Sequence, residues 1–124
     1  MARILLVDTE AWRGSVLLRR LWPTVRDVHH ISDPQLIAGA TDSFEVAVIV
    51  IRDPLQLYLQ AIGYLKALSG KVQVLAIFAG GNLPADYSLL AARVRGADAV
   101  LYHPHSEDEL VNAVLYLLGN QSIP

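Results

Sequence analysis

Residues 46–51 read Val46-Ala47-Val48-Ile49-Val50-Ile51, and Arg52-Asp53-Pro54 follows this run directly. Six consecutive apolar residues, with no alternation of apolar and polar positions, are typical of a strand buried on both faces of a parallel sheet. Residues 4–7 form a similar run that ends at Asp8, and residues 72–78 form another that only Gln73 interrupts. The sequence therefore predicts strands at the centre of a sheet that is covered on both sides.

Helical patterns alternate with the strands along the chain. The predicted strands are residues 3–8, 25–31, 46–51, 72–78 and 97–102, and the predicted helices are residues 11–22, 34–40, 55–68, 84–95 and 110–118, the last ended by Gly119. Asp33 before Pro34 predicts a helix start, and Ser106 followed by Glu109 is a capping-box pattern. Such alternation implies right-handed βαβ units. We predict an α/β fold, a flavodoxin-like, doubly wound (βα)5 sandwich of three layers with strand order 2-1-3-4-5.

Composition narrows the classes of function. The chain has 124 residues, of which 53% are hydrophobic and 18% charged, so we expect one domain over residues 1–119 and a tail or linker stub over residues 120–124. The net charge is -2 and the ten Lys and Arg residues are dispersed, which disfavours nucleic-acid binding. The absence of cysteine excludes disulfides and thiolate metal sites. No apolar run approaches the ~20 residues of a membrane span, and we expect a cytoplasmic protein.

Polar residues gather where the predicted strands end, which is where sheets of this type carry their sites. The polar ones are Asp8, Thr9 and Glu10, then Arg52 and Asp53, and residues 79–82 and 103–105 follow the last two predicted strands. We expect Asp8 to pair with Arg52 across neighbouring strand ends. His29, His30, His103 and His105 are interpreted as isolated, solvent-facing side chains rather than metal ligands, because no cysteine accompanies them.

Two segments resemble the receiver domain of two-component response regulators. Residues 3–10, Arg-Ile-Leu-Leu-Val-Asp-Thr-Glu, resemble that family's opening strand and acidic turn. Residues 96–110 begin Gly-Ala-Asp, continue through a short strand to His103-Pro104, and enter a capped helix, which resembles the family's last strand, Lys-Pro pair and final helix. In element order the resemblance covers essentially the whole chain.

The resemblance also implies which residues should perform phosphoryl transfer, and most are replaced. A working receiver has an aspartate at the end of its third strand, two acidic residues after the first, a Ser or Thr after the fourth and a Lys before the Pro. The corresponding positions here are Val50, Asp8 with Thr9, Phe78 with Ala79, and His103 before Pro104. Without a carboxylate at Val50 the family's chemistry is lost, and we expect weak or absent Mg²⁺ binding, no cofactor and no catalytic residue.

The leading hypothesis is an atypical receiver that acts in signal transduction through phosphorylation-independent protein contact. Its partner would be another protein, a fused output domain or a second copy of the chain. Receivers commonly dock through the fourth helix, last strand and last helix, and the corresponding face here would contain Tyr87, Arg95, Tyr102, Asn112 and Tyr116. Two alternatives remain open, a conventional phospho-receiver with Asp53 as a shifted acceptor and a small flavodoxin-like ligand-binding domain. The chain contains no coherent pair of nucleophile and base, so an enzyme is not expected.

Overall fold

The computed structural model describes residues 2–39 and 43–121. Its strands are β1 (Ala2–Val7), β2 (Val25–Ile31), β3 (Val46–Ile51), β4 (Gln73–Phe78) and β5 (Ala99–Tyr102). Its α-helices are α1 (Trp12–Leu21), α2 (Leu55–Leu68), α3 (Ala85–Arg95) and α4 (Glu107–Gln121), and a short 3-10 helix spans Pro34–Gly39.

The five strands form one parallel sheet in the order β2-β1-β3-β4-β5, which confirms the predicted order. Every residue of β3 is buried, whereas the edge strands β2 and β5 are partly exposed. Because side chains of a strand point alternately to opposite faces, β3 serves two cores at once.

The two cores lie on opposite faces of the sheet and give the molecule its three layers. Ala47, Ile49 and Ile51 pack with side chains of α2, α3 and the 3-10 helix. Val46, Val48 and Val50 pack with side chains of α1 and α4. The predicted flavodoxin-like doubly wound sandwich is confirmed.

Several predicted bounds differ from those observed. The last strand starts at Ala99 rather than residue 97, because Ala97 is still tied to α3 through its N–H bond to the Ala92 carbonyl, 3.0 Å. The last helix continues through Gly119 to Gln121, and of the predicted tail, residues 122–124 lie outside the described residues. The second predicted helix is a 3-10 helix ending at Gly39, and Ala40 lies outside the described residues.

The predicted capping interactions are present. Glu109 N–H donates to Ser106 Oγ at 3.0 Å while Ser106 N–H donates to Glu109 Oε1 at 2.9 Å, which completes the capping box at the start of α4. Asp33 Oδ1 accepts the N–H of Gln35 at 2.9 Å. At the end of α1, Trp22 is 60% exposed and lies beside the Arg26 guanidinium.

The Gly96-Ala97-Asp98 segment joins α3 to β5 through one carboxylate. Asp98 Oδ2 accepts the Val74 N–H at 2.8 Å and the Lys66 ammonium at 3.0 Å, so it ties the start of β5 to β4 and α2. Gly96 ends α3 with φ of 121°, and a Cβ there would lie 2.8 Å from Lys66 Cγ. Both the backbone angle and the neighbouring lysine therefore require glycine.

Substituting Gly96→Ala should lower the free energy of unfolding by about 1–2 kcal/mol, because an L side chain is strained at this angle and would displace the lysine that holds Asp98. Urea denaturation followed by circular dichroism measures the change. Gly70→Ala is the matched control, since a Cβ there meets nothing within 4 Å. Equal destabilisation by both substitutions would contradict the role assigned to Gly96.

Candidate functional site

The carboxyl ends of the central strands carry a cluster of polar side chains. Asp8 directly follows β1, Arg13 lies in the first turn of α1, and His103 and His105 lie in the loop from β5 to α4. We call these four residues the Arg13 cluster. Parallel strands bring these loops to one edge of the sheet, although Arg13 and His105 are 92 positions apart in sequence.

The centre of the cluster is a buried ion pair. Arg13 Nη1 donates to Asp8 Oδ2 at 2.8 Å, and both side chains are 0% exposed. The other carboxylate oxygen, Oδ1, accepts the N–H of Glu10 at 3.0 Å. A fixed guanidinium therefore neutralises the carboxylate that stands at the acidic turn.

Two histidine side chains also lie within hydrogen-bond distance of the Arg13 guanidinium. Arg13 Nε lies 3.2 Å from His105 Nε2, and Arg13 Nη2 lies 3.2 Å from His103 Nδ1. Because a guanidinium can only donate, both imidazole nitrogens must accept. The Trp12 ring covers the cluster, with its centroid 4.4 Å from Arg13 Cζ and 5.6 Å from the His105 ring centroid.

The predicted Asp8–Arg52 pair is wrong. Arg52 Nη2 donates instead to Glu10 Oε1 at 2.8 Å, a partly exposed pair beside the cluster. Arg13 takes the place expected for Arg52 because α1 starts close behind Asp8 and directs its first turn at that carboxylate. Arg13 lies on the buried face of α1, although arginine is ordinarily a solvent-facing residue. Its spacing from Val16 and Leu17, three and four residues, is the signal that could have placed it on that face.

The other positions singled out from the sequence at this edge of the sheet are mostly apolar. Val50 is 0% exposed and belongs to the core beneath α1 and α4. Phe78 and Ala79 end β4 half-buried, and the Ala79 N–H bonds the Ile51 carbonyl at 3.0 Å. Thr9 and Pro104 are exposed.

Asp53 is exposed and has a structural partner. Its Oδ1 accepts the N–H of Asn82 at 3.0 Å, which connects the loop after β3 to the loop after β4. A Cβ on Gly81 would lie 3.0 Å from the same oxygen, so the two loops are in close contact. The Asp53 side chain therefore connects two strand-end loops.

A shallow depression of about 290 Å³ lies beside Asp53, between the loops that follow β2 and β3. Ser32, Asp33 and Tyr58 contribute to its lining. Burial is the main cause that raises the pKa of Tyr58, so its hydroxyl is neutral. Among residues 2–39 and 43–121, no three His, Asp or Glu side chains are grouped so that they could hold a metal ion. No helix in those ranges is long and apolar enough to cross a membrane.

The second candidate site is the surface formed by α3, β5 and α4, here called the docking face. Tyr87, Tyr102 and Tyr116 are 57%, 50% and 64% exposed, one on each element. The Tyr102 hydroxyl donates to the Asp86 carboxylate, which connects β5 with α3 and raises the pKa of Tyr102. Asn112 is exposed four residues before Tyr116 and therefore shares its face of α4.

The residues that form this face differ in part from those expected from the sequence. Arg95 lies towards α2, since its Nη1 is 3.9 Å from the position that a Cβ on Gly63 would take. The sequence interpretation missed an exposed apolar stripe whose members are spaced four, three and four residues apart: Leu83 (44% exposed), Tyr87, Leu90 (63%) and Val94 (79%). Contiguous exposed apolar patches are typical of surfaces that bind other proteins, so these four side chains are candidates for such a surface.

Comparisons with solved structures identify the fold. The beryllofluoride-activated receiver domain of DrrB superposes with a TM-score of 0.79 at 20% identity, over 96% of this chain and 98% of that one. The CheY-like receiver domain protein of Methanospirillum hungatei gives 0.79 at 16% identity, over 98% and 96%. This chain has the fold of response-regulator receiver domains. No protein-family model and no curated protein matches its sequence.

One of the matching structures is that of a longer protein. DrrB of Thermotoga maritima, described as an OmpR/PhoB homolog, superposes with a TM-score of 0.78 at 19% identity. The match covers 98% of this chain and 54% of that protein, so this chain spans about half its length.

Replacing Arg13→Met should destabilise the fold by about 3–5 kcal/mol, because the Asp8 carboxylate would stay buried without its counter-ion. The double variant Asp8→Asn with Arg13→Met should recover part of this loss, since it removes the orphaned charge. Chemical denaturation at neutral pH gives the three free energies of unfolding. Arg19→Met, which breaks an exposed pair with Glu107, is the control and should change little. An equally small effect of Arg13→Met would exclude the buried pair as a stabilising element.

Proposed function

We propose that this chain is a receiver-like signalling domain that accepts no phosphoryl group and acts through protein contact on its docking face. The observation that carries the proposal is the buried Arg13–Asp8 pair, in which a permanent internal cation stands at the acidic turn. A receiver of the usual kind relies on a mobile metal ion at this turn.

The acceptor position supports the same conclusion. Phosphoryl transfer to a protein requires an oxygen nucleophile that the donor can reach. Val50 has no such oxygen and is enclosed by the core beneath α1 and α4. Asp53, three residues further on, is exposed and bonded to the neighbouring loop.

The cationic groups at the strand ends also support the proposal that this chain accepts no phosphoryl group. In phosphoryl transfer a metal ion and a lysine offset the charge that develops on the transferred oxygens. Here the Arg13 guanidinium already contacts the Asp8 carboxylate, two imidazoles and the Trp12 ring. Histidine stands where the lysine would be, and its Nδ1 is occupied by Arg13. Metal and phosphate would have to displace these partners.

The docking face supplies the surface through which such a domain would act. Tyrosine side chains bury large areas at low entropic cost, and they are frequent anchors of protein interfaces. Three tyrosines and the apolar stripe of α3 are available on this face. The partner is a separate protein, a second copy of the chain, or an output domain in the same polypeptide, as the length of DrrB of Thermotoga maritima illustrates.

Incubation with acetyl phosphate and Mg²⁺ should leave the intact mass of the protein unchanged, because Val50 offers no nucleophile. Intact-mass spectrometry is the measurement, with a phosphorylatable receiver domain as the positive control. The variant Asp53→Asn separates the two receiver hypotheses. Stoichiometric addition of one phosphoryl group that disappears in Asp53→Asn would replace the proposal with the shifted-acceptor alternative.

Substituting Tyr87→Ala, Tyr102→Ala or Tyr116→Ala should weaken self-association or partner capture by about thirtyfold for each true anchor, without loss of secondary structure. Light scattering and pull-down assays measure the two outcomes. Tyr64→Ala is the matched control, because Tyr64 is similarly aromatic and 39% exposed but lies on α2. Unchanged binding in all three variants, with loss in Asp53→Ala, would move the interaction to the strand-end pocket.

A further inference from the structure

We infer that the loop from β5 to α4, residues 103–106, is a pH-sensitive latch that Arg13 holds closed only while His103 and His105 are neutral. The inference concerns the Arg13 cluster and the loop, and it does not rest on the docking face.

The hydrogen bonds of His105 determine where its proton lies. Its Nδ1 is 3.0 Å from the Ser106 carbonyl oxygen, which can only accept, so Nδ1 carries the hydrogen. Its Nε2 lies 3.2 Å from Arg13 Nε, which can only donate, so Nε2 must present a lone pair. His105 is therefore neutral, with its hydrogen on Nδ1.

His103 meets the same requirement on its other nitrogen. Its Nδ1 lies 3.2 Å from Arg13 Nη2 and must accept. A proton added to either ring would replace this lone pair with an N–H group pointing at a buried guanidinium. The hydrogen bond would be lost and two positive charges would face each other.

His30 shows that the effect is specific to accepting histidines. Its Nε2 lies 2.6 Å from the carbonyl oxygen of Asp8 and therefore donates. A protonated His30 would still donate from this atom, so acid leaves its bond intact. The Arg13 cluster thus contains two histidines whose hydrogen bonds fail on protonation, and His30 beside it has one that does not.

The other charged groups near the loop already have partners and do not replace Arg13. The Asp8 carboxylate is paired with Arg13 itself. At the start of α4, Glu107 bonds Arg19 and Arg20, Asp108 bonds Arg20, and Glu109 caps Ser106. The Arg19 hydrogen bond lowers the pKa of Glu107, so this pair stays ionised while histidines titrate. On the strand side, Arg52 is paired with Glu10.

These contacts predict a local opening in mild acid. For each proton that the open loop binds and the closed loop excludes, the ratio of open to closed molecules rises about tenfold per pH unit. When His105 is released, its ring moves away from Trp12, so the fluorescence of Trp12 reports on the opening of the loop. The chain has two tryptophans, so Trp22→Phe leaves Trp12 as the only fluorophore of this kind.

The test follows Trp12 emission in the full chain carrying Trp22→Phe, from about pH 7.5 to about pH 5, the range in which histidine ordinarily titrates. We expect a red shift while circular dichroism retains its secondary-structure signal. The shift should vanish in His103→Asn with His105→Gln, whose amide oxygens accept from Arg13 and do not titrate. It should persist in the control His29→Gln, which alters an exposed histidine on β2.

An equal red shift in the double variant would overturn the inference, as would no shift in the parent or a shift that coincides with global unfolding. Nitrogen NMR of the imidazole rings in the unsubstituted chain gives a second test that does not depend on the variants folding. At about pH 7.5, in the range where histidine is ordinarily neutral, it should show hydrogen on Nδ1 and none on Nε2 of His105. Hydrogen on Nε2 would contradict the latch.

Discussion

The burial of β3 on both faces is the constraint on which the rest of the structure depends. All six of its residues are buried, three against α2 and α3 and three against α1 and α4. A fully enclosed strand cannot end in solvent-exposed apolar residues, so the chain turns polar at its carboxyl end, at Arg52 and Asp53. β1 and β5 are likewise followed by polar residues at this edge, Asp8 and His103, which belong to the Arg13 cluster.

At that edge of the sheet, the Arg13–Asp8 pair affects both the stability of the fold and the ligands that the site could bind. Removing two charges from water is costly, and their mutual attraction recovers the cost only when the remaining donors and acceptors are also satisfied. Here the Glu10 N–H donates to the Asp8 carboxylate, and two imidazoles accept from the Arg13 guanidinium. The same contacts that make the pair tolerable also occupy the space and the charges that a metal ion and a phosphoryl group would need. Stability and the proposed loss of phosphorylation thus have one physical origin.

The Arg13 cluster and the docking face lie on different parts of the molecule. The Arg13 cluster lies at the carboxyl edge of the sheet, whereas the tyrosines of the docking face lie on the exposed sides of α3, β5 and α4. Tyr102 and His103 are adjacent in sequence, yet Tyr102 bonds Asp86 on α3 and His103 meets Arg13 on α1. The end of β5 is therefore held by helices on both faces of the sheet.

The sequence by itself determined the strands and their order, because unbroken apolar runs, capping residues and the Gly-Ala-Asp segment are local signals. It also placed Asp8, Arg52 and His103 at one edge. Only the tertiary structure decided which cation meets Asp8, that Arg95 turns to α2, and that α3 exposes an apolar stripe. Those outcomes depend on how residues distant in sequence compete for the same contacts, and the periodicity of one helix carries no information about what packs beside it.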